Sequence, residues 1–197
     1  MVIDSLKDKI REVTGSKDEE ESSPDFQIKS ASEDLVVIPE QENIRDVDVR
    51  YPLIEPFADA HISWNEDQEE LVYQIEEPSL NTEEQHKFDR IKGAMEKKID
   101  YLGEKLDEVA KELGIRMSDQ ERAKLMYFVY RNFAGLNEIE PLMHDPYIED
   151  IGCSGLSIPT YIVHTKFGSI KTNLIFNDED TLKNLVVKLA ERCGKYI

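Results

Sequence analysis

Cysteine is almost missing from this sequence: Cys153 and Cys193 are the two in 197 residues. Two widely separated thiols cannot build a disulfide framework, and their spacing does not suit a zinc knuckle, so both read as small semi-buried thiols of a reducing compartment. Long apolar runs are missing too. No stretch of 18 apolar residues occurs, which excludes a membrane-spanning helix. Met1 to Lys17 lacks the apolar core and cleavage pattern of a secretory signal. Glycine is sparse, with nine residues, and never takes the Gly-x4-Gly-Lys-Ser/Thr spacing that lets backbone N–H groups surround phosphates. Gly194-Lys195 comes nearest, but Tyr196 follows it and Leu189 stands where the first glycine belongs. No acidic Walker-B strand is evident either, so these residues encode no nucleoside-triphosphate site.

Positive charge is also in short supply. Lysine and arginine number 24 against 42 acids, a net charge of −18. The imbalance sits at the front: residues 1–80 hold 22 acids and 7 bases, whereas the remainder holds 20 and 17. An acidic surface repels phosphate backbones and anionic lipid heads, so nucleic-acid binding and direct membrane insertion are not expected. A basic protein partner, or plain solubility, suits it better.

Order builds gradually along the chain. Ile3, Leu6, Ile10 and Val13 place one apolar stripe on a short helix, too short to stand alone. Residues 16–34 are polar, acidic and interrupted by Pro24, which predicts a linker. Leu35 to Ile38 form an apolar run stopped by Pro39. A hairpin is predicted from His61–Trp64 and Leu71–Glu76, joined by the acidic turn Asn65–Glu70. Asn81 and Glu84 make a capping-box pattern. It opens one long helix whose stripe runs Phe88, Ile91, Met95, Ile99, Leu102, Leu106, Val109 and Leu113, with Gly114 as its end. Ser118 and Glu121 repeat the box for a second helix with Leu125, Phe128, Val129 and Phe133 on its apolar face, so the two predict a helical hairpin.

After a short helical stretch, Glu138–Met143, the pattern turns to strands. Ile148–Gly152 reads as one. Tyr161–Thr165 and Ser169–Phe176 read as a hairpin about Phe167-Gly168. Asn177 is the expected cap of a last helix carrying Leu182, Leu185, Val186 and Leu189. Three strands and one helix leave apolar surface uncovered, so the expectation is part of a longer chain. The fold class is α+β: an acidic flexible N-terminal segment and linker (1–49), a β-hairpin plus helical hairpin (50–135), and the start of a small mixed sheet-and-helix subdomain (136–197).

None of His61, His86, His144 and His164 lies four residues from another on a helix, so no zinc pair is suggested. Asp145, Glu149 and Asp150 cluster at a helix-to-strand junction. Grouped carboxylates can do acid–base work or hold a metal. The simpler reading is a turn in which Asp145 caps ahead of Pro146 and the other two face water. Gly152-Cys153-Ser154-Gly155 lacks the spacing of a nucleophile elbow, and Cys153 has no neighbouring base in sequence. No catalytic, cofactor-binding or metal-ligating residue is therefore assigned.

Two segments carry a resemblance. Gly135, Ile139, Pro141, Leu142, Asp145, Pro146, Ile148, Glu149, Asp150 and Ile151 fit the Gly-x-Ile-x-Pro-Leu and Asp-Pro-x-Ile-Glu-Asp-Ile pattern that precedes the motor domain of type II/IV secretion ATPases. Tyr51-Pro-Leu-Ile-Glu-Pro-Phe-Ala-Asp-Ala-His-Ile resembles the opening segment of the archaeal branch, which includes archaellum motors and pilus-assembly ATPases. The likeness covers roughly residues 50–197. It implies the N-terminal, non-catalytic part of a cytoplasmic homo-hexameric ATPase at the inner face of the cell membrane. Such a ring docks on a polytopic membrane platform protein and uses ATP and Mg in a C-terminal domain absent from this chain. A stand-alone acidic adaptor using the 81–134 hairpin, or a small enzyme using Asp145, Glu149 and Asp150, are the competing readings.

Overall fold

The computed structural model describes residues 29–30, 38, 43–95 and 105–195. The expected helix at 3–13 and the linker at 16–34 lie outside the described residues, apart from Lys29 and Ser30. In chain order the elements are β1 (Lys29–Ser30), β2 (Asp48–Glu55), β3 (Ala58–Asn65), β4 (Glu70–Glu76), α1 (Thr82–Met95), α2 (Lys105–Glu112), α3 (Asp119–Phe133), α4 (Glu140–Met143), β5 (Ile148–Gly152), β6 (Pro159–His164), β7 (Gly168–Ile175) and α5 (Glu179–Arg192). The class is α+β. No helix among the described residues is long and apolar enough to cross a membrane.

Contacts group the segments differently from sequence order. Ile28–Glu77 joins Ile139–Ile197 in one compact unit, and Pro78–Glu138 is a second. The hairpin expected to accompany the helices therefore belongs with the later strands. All seven strands form one sheet in the order β1-β2-β3-β4-β7-β6-β5. Every neighbouring pair is antiparallel except β4 and β7, which run parallel with Tyr73 opposite Thr172. Where that short parallel ladder ends, the Asn173 amide takes it over: Oδ1 accepts from the Ile75 N–H (2.9 Å) and Nδ2 donates to the Ile75 carbonyl (3.0 Å).

The sheet has one buried row that crosses four strands. Val49 opposes Ile62, Ile62 opposes Tyr73 and Tyr73 opposes Thr172, all four buried. Side chains alternate along a strand, so the other face takes Asp48, Arg50, His61 and Glu76. There His61 Nε2 lies 2.7 Å from Asp48, and Arg50 donates to Glu76 at 2.8 Å. Towards β6 and β7 the same face becomes apolar, with Tyr161, Val163 and Ile175 exposed.

The second unit corrects one expectation. The single helix predicted across 81–113 appears as α1 and α2, with residues 96–104 outside the described set. Arg90 donates to the Leu113 carbonyl at 2.8 Å. In one straight helix those residues would stand roughly 34 Å apart, at 1.5 Å per residue. The chain therefore reverses, and the stripe is shared by two helices that pack together: Ile91 and Met95 are buried on α1, Leu106 and Val109 on α2. Both capping boxes are present. Asn81 and Glu84 exchange side-chain–backbone bonds at 2.9 and 2.8 Å, and Ser118 and Glu121 do the same. Lys87, with the Ser118 N–H and hydroxyl, holds the Glu121 carboxyl down at about 2. Gly114 closes α2 with φ +65°, a conformation that glycine adopts without steric cost. At the last helix, α5, the cap is Asp178 rather than Asn177, because its carboxylate accepts from both the N–H and the hydroxyl of Thr181 at 2.7 Å.

Two buried side-chain atoms of the sheet, Trp64 Nε1 and Thr160 Oγ1, are unsatisfied among the described residues. Thr160 is fully buried and its hydroxyl has no hydrogen-bond partner among the described residues. Thr160→Val removes the cost of that stranded hydroxyl and keeps the β-branch. It is expected to leave stability unchanged or raise it by up to about 1 kcal/mol. An unchanged slope and an equal or higher midpoint in urea unfolding would bear this out; a clear fall would mean the hydroxyl has a partner.

Candidate functional site

The strongest polar constellation is built around Asp145 in the sheet-bearing unit. Glu140–Met143 ends in a tight turn, with the Asp145 N–H donating to the Leu142 carbonyl at 3.3 Å. Asp145 Oδ1 then accepts from the Tyr147 N–H at 2.8 Å, the local turn that an aspartate makes with its own backbone two residues on. Pro146 fixes the intervening φ. With Oδ1 so engaged, Oδ2 faces the sheet and accepts from the Tyr51 hydroxyl (2.7 Å) and the Tyr73 hydroxyl (2.6 Å). Asp145 has no exposure at all.

His164 extends the network from β6. Its Nδ1 accepts from the Lys166 N–H at 3.2 Å, which leaves Nε2 to carry the proton of the neutral ring. Nε2 lies 3.3 Å from the Tyr51 oxygen. Donors and acceptors are then consistent throughout: His164 donates to Tyr51, while Tyr51 and Tyr73 both donate to Asp145. The His164 ring stacks on Tyr147 at a centroid distance of 5.5 Å, with Phe167 on its other contact at 5.0 Å.

Burial governs the electrostatics. It pushes the Tyr51 and Tyr73 hydroxyls above their ordinary range, and the Asp145 charge adds to the rise. Burial also lowers His164, partly opposed by Asp145. Below about pH 6.5 the unfolded chain takes up the histidine proton before the folded chain does, so stability declines as pH falls from there towards the folded value. His164→Gln is expected to flatten this part of the pH–stability curve. A slope that persists unchanged in the variant would assign the effect to other groups.

The sequence-level carboxylate cluster does not assemble. Asp145 is buried, whereas Glu149 and Asp150 are exposed on β5. Cys153 and Cys193 are exposed rather than semi-buried, one just after β5 and the other at the end of α5, and are not bonded to each other. His61 joins the charged outer face, and His144 pairs with the buried Glu140 at 2.9 Å. No group of three or more potential metal ligands is present among the described residues. Asp145, its carboxylate saturated by tyrosines and backbone, anchors the 139–148 segment to the sheet. Tyr51, Tyr73 and His164 were not foreseen as its partners. The signals were Tyr51 and Tyr73 at inward positions of alternating strands, and Asp-Pro in the quoted motif.

No protein-family model matches the chain. It is similar to the uncharacterized protein MJ1288 of Methanocaldococcus jannaschii, 30% identical over 167 residues, covering 78% of this chain and 66% of that protein. It is also similar to the uncharacterized protein MJ0900 of the same organism, 37% identical over 81 residues, covering 41% of this chain and 14% of that protein. The chain thus spans just under two thirds of the first relative and about one seventh of the second, a much larger protein.

Proposed function

We propose that these residues are the N-terminal, non-catalytic part of a secretion-type assembly ATPase, of the class that drives filament assembly or subunit export. One observation carries the reading. The two segments that resemble this class, around Tyr51 and around Asp145, lie 94 residues apart in sequence and meet in a buried 2.7 Å hydrogen bond. Segments that co-occur in a sequence pattern and bond in the core behave as one module. The similarity of 81 residues to a small share of a much larger protein supports use of such a module within a longer chain. In this reading ATP and Mg belong to a motor domain outside these residues. The assembled protein is a hexameric ring, cytoplasmic and peripheral to a membrane platform protein. The sheet-bearing unit, which holds Tyr51 and Asp145 of the two resembling segments, moves with nucleotide state elsewhere.

Phosphate release from ATP and sedimentation in solution test it, on this chain and on the same chain continued through any encoded phosphate loop. The expected result is an inert chain and an active, ring-forming longer protein. Turnover by these residues alone, or the absence of any motor domain in the encoded continuation, would sink the proposal and favour an acidic adaptor.

A further inference from the structure

The helical unit carries a shallow cleft of about 490 Å³ where α2 ends and α3 begins. Three cations line it: Lys111, Arg116 and Arg122. Arg122 is neutralised by Asp107, with Nε and a terminal nitrogen on the two carboxylate oxygens at 2.8 and 2.6 Å. The side chains of Lys111 and Arg116 make no ion pair or hydrogen bond among the described residues. In a chain with 42 acids to 24 bases, two cations without a side-chain partner among the described residues thus line one concavity. Lys111 suits the negative end of α2, but Arg116 lies beyond that helix, where the dipole no longer explains it. The loop between them is fixed: the Gly114 N–H donates to Lys111 and the Ile115 N–H to Ala110, at 3.1 and 2.8 Å. Ile115 and Met117 supply an apolar floor beside the charges.

A shallow, open cleft does not enclose a small molecule, which needs most of its surface buried. It does suit a chain segment laid across it. We propose that the cleft docks an acidic, partly apolar peptide segment of a protein partner. Its carboxylates would meet Lys111 and Arg116, and an apolar side chain would rest on Ile115 and Met117. Charge complementarity selects this occupant, since basic segments would be repelled here. Asp119 near Arg122 limits the field on that side, so Lys111 and Arg116 dominate recognition.

The test titrates the whole chain with a fluorescein-labelled peptide of four glutamates around a phenylalanine, read by anisotropy. Lys111→Glu with Arg116→Glu is expected to weaken binding about tenfold or more, and about 0.5 M NaCl to weaken it comparably. Neither side chain has a partner among the described residues, so the fold is expected to survive with at most a small fall in the melt from the charge reversed at the end of α2, and a retained melt separates lost binding from lost folding. Lys183→Glu, on α5, is expected to bind as the parent does. Amide shifts at Gly114, Ile115 and Met117 on peptide addition would place the contact. Equal binding by the charge-reversed chain overturns the proposal. So does binding of the lysine-for-glutamate peptide, or displacement by millimolar inorganic phosphate as readily as by unlabelled peptide.

Discussion

Asp145→Ala is expected to destabilise the sheet-bearing unit by about 2–5 kcal/mol, the largest effect of any single polar substitution in it. Two buried phenol hydroxyls and the Tyr147 N–H lose their shared acceptor at once. Each stranded donor carries a desolvation cost of about 1–3 kcal/mol, and the three do not add fully because local rearrangement recovers part of it. Asp145→Asn keeps the volume and one carbonyl acceptor, and is expected to cost less. Tyr51→Phe and Tyr73→Phe each remove one bond to a charged acceptor, about 1.5–3 kcal/mol. Glu149→Ala and Asp150→Ala, at exposed positions of the same motif, are expected to stay within about 0.5 kcal/mol. Urea unfolding of this series separates an anchoring carboxylate from a chemical one. If Asp145→Ala behaved like Glu149→Ala, the anchor role would be wrong.

The second large effect concerns the helical unit. Leu106→Ala and Ile91→Ala are each expected to cost about 2–5 kcal/mol, as full burial of both side chains requires. In a single continuous helix the two side chains would stand about 22 Å apart along the axis, so their losses would simply add. The pair should also couple in a double-mutant cycle, because α1 and α2 pack together. Additive losses would restore the continuous helix.

Local signals were legible where local physics sets the structure. Both capping boxes, the β3–β4 and β6–β7 hairpins, the β5 strand and the glycine at the end of α2 follow from short-range donor, turn and alternation rules. Strand β2 was overlooked because Pro52 lies in its middle, and proline usually argues against a strand. The structure accommodates it beside a register shift between Pro52 and Ile54. The alternation of Val49, Tyr51 and Leu53 was the signal that outweighed it. A heptad-like stripe could not distinguish one long helix from two helices facing each other, since either arrangement buries it. The join of β4 to β7 had no local signature, and the inward position of Tyr51 and the Asp145-Pro146 pair could not by themselves show that the two bond, because both features depend on chain segments that meet only after an intervening unit has been passed.

That join sets an order of assembly during synthesis. The partner strand of β4 lies in residues 168–175, and the Asn173 side chain that completes the ladder reaches back 98 residues to Ile75. At translation rates of about 5–20 residues per second, roughly 5–20 s separate the emergence of the two strands. Helices α1, α2 and α3, all encoded within that interval, can form from nearby contacts while β4 still presents an unpaired edge. Throughout that time the nascent protein exposes a strand ready to pair with any other chain. The vulnerable species is thus a growing chain with its helices formed and its sheet half built, and it is the form on which a ribosome-associated chaperone would have most effect.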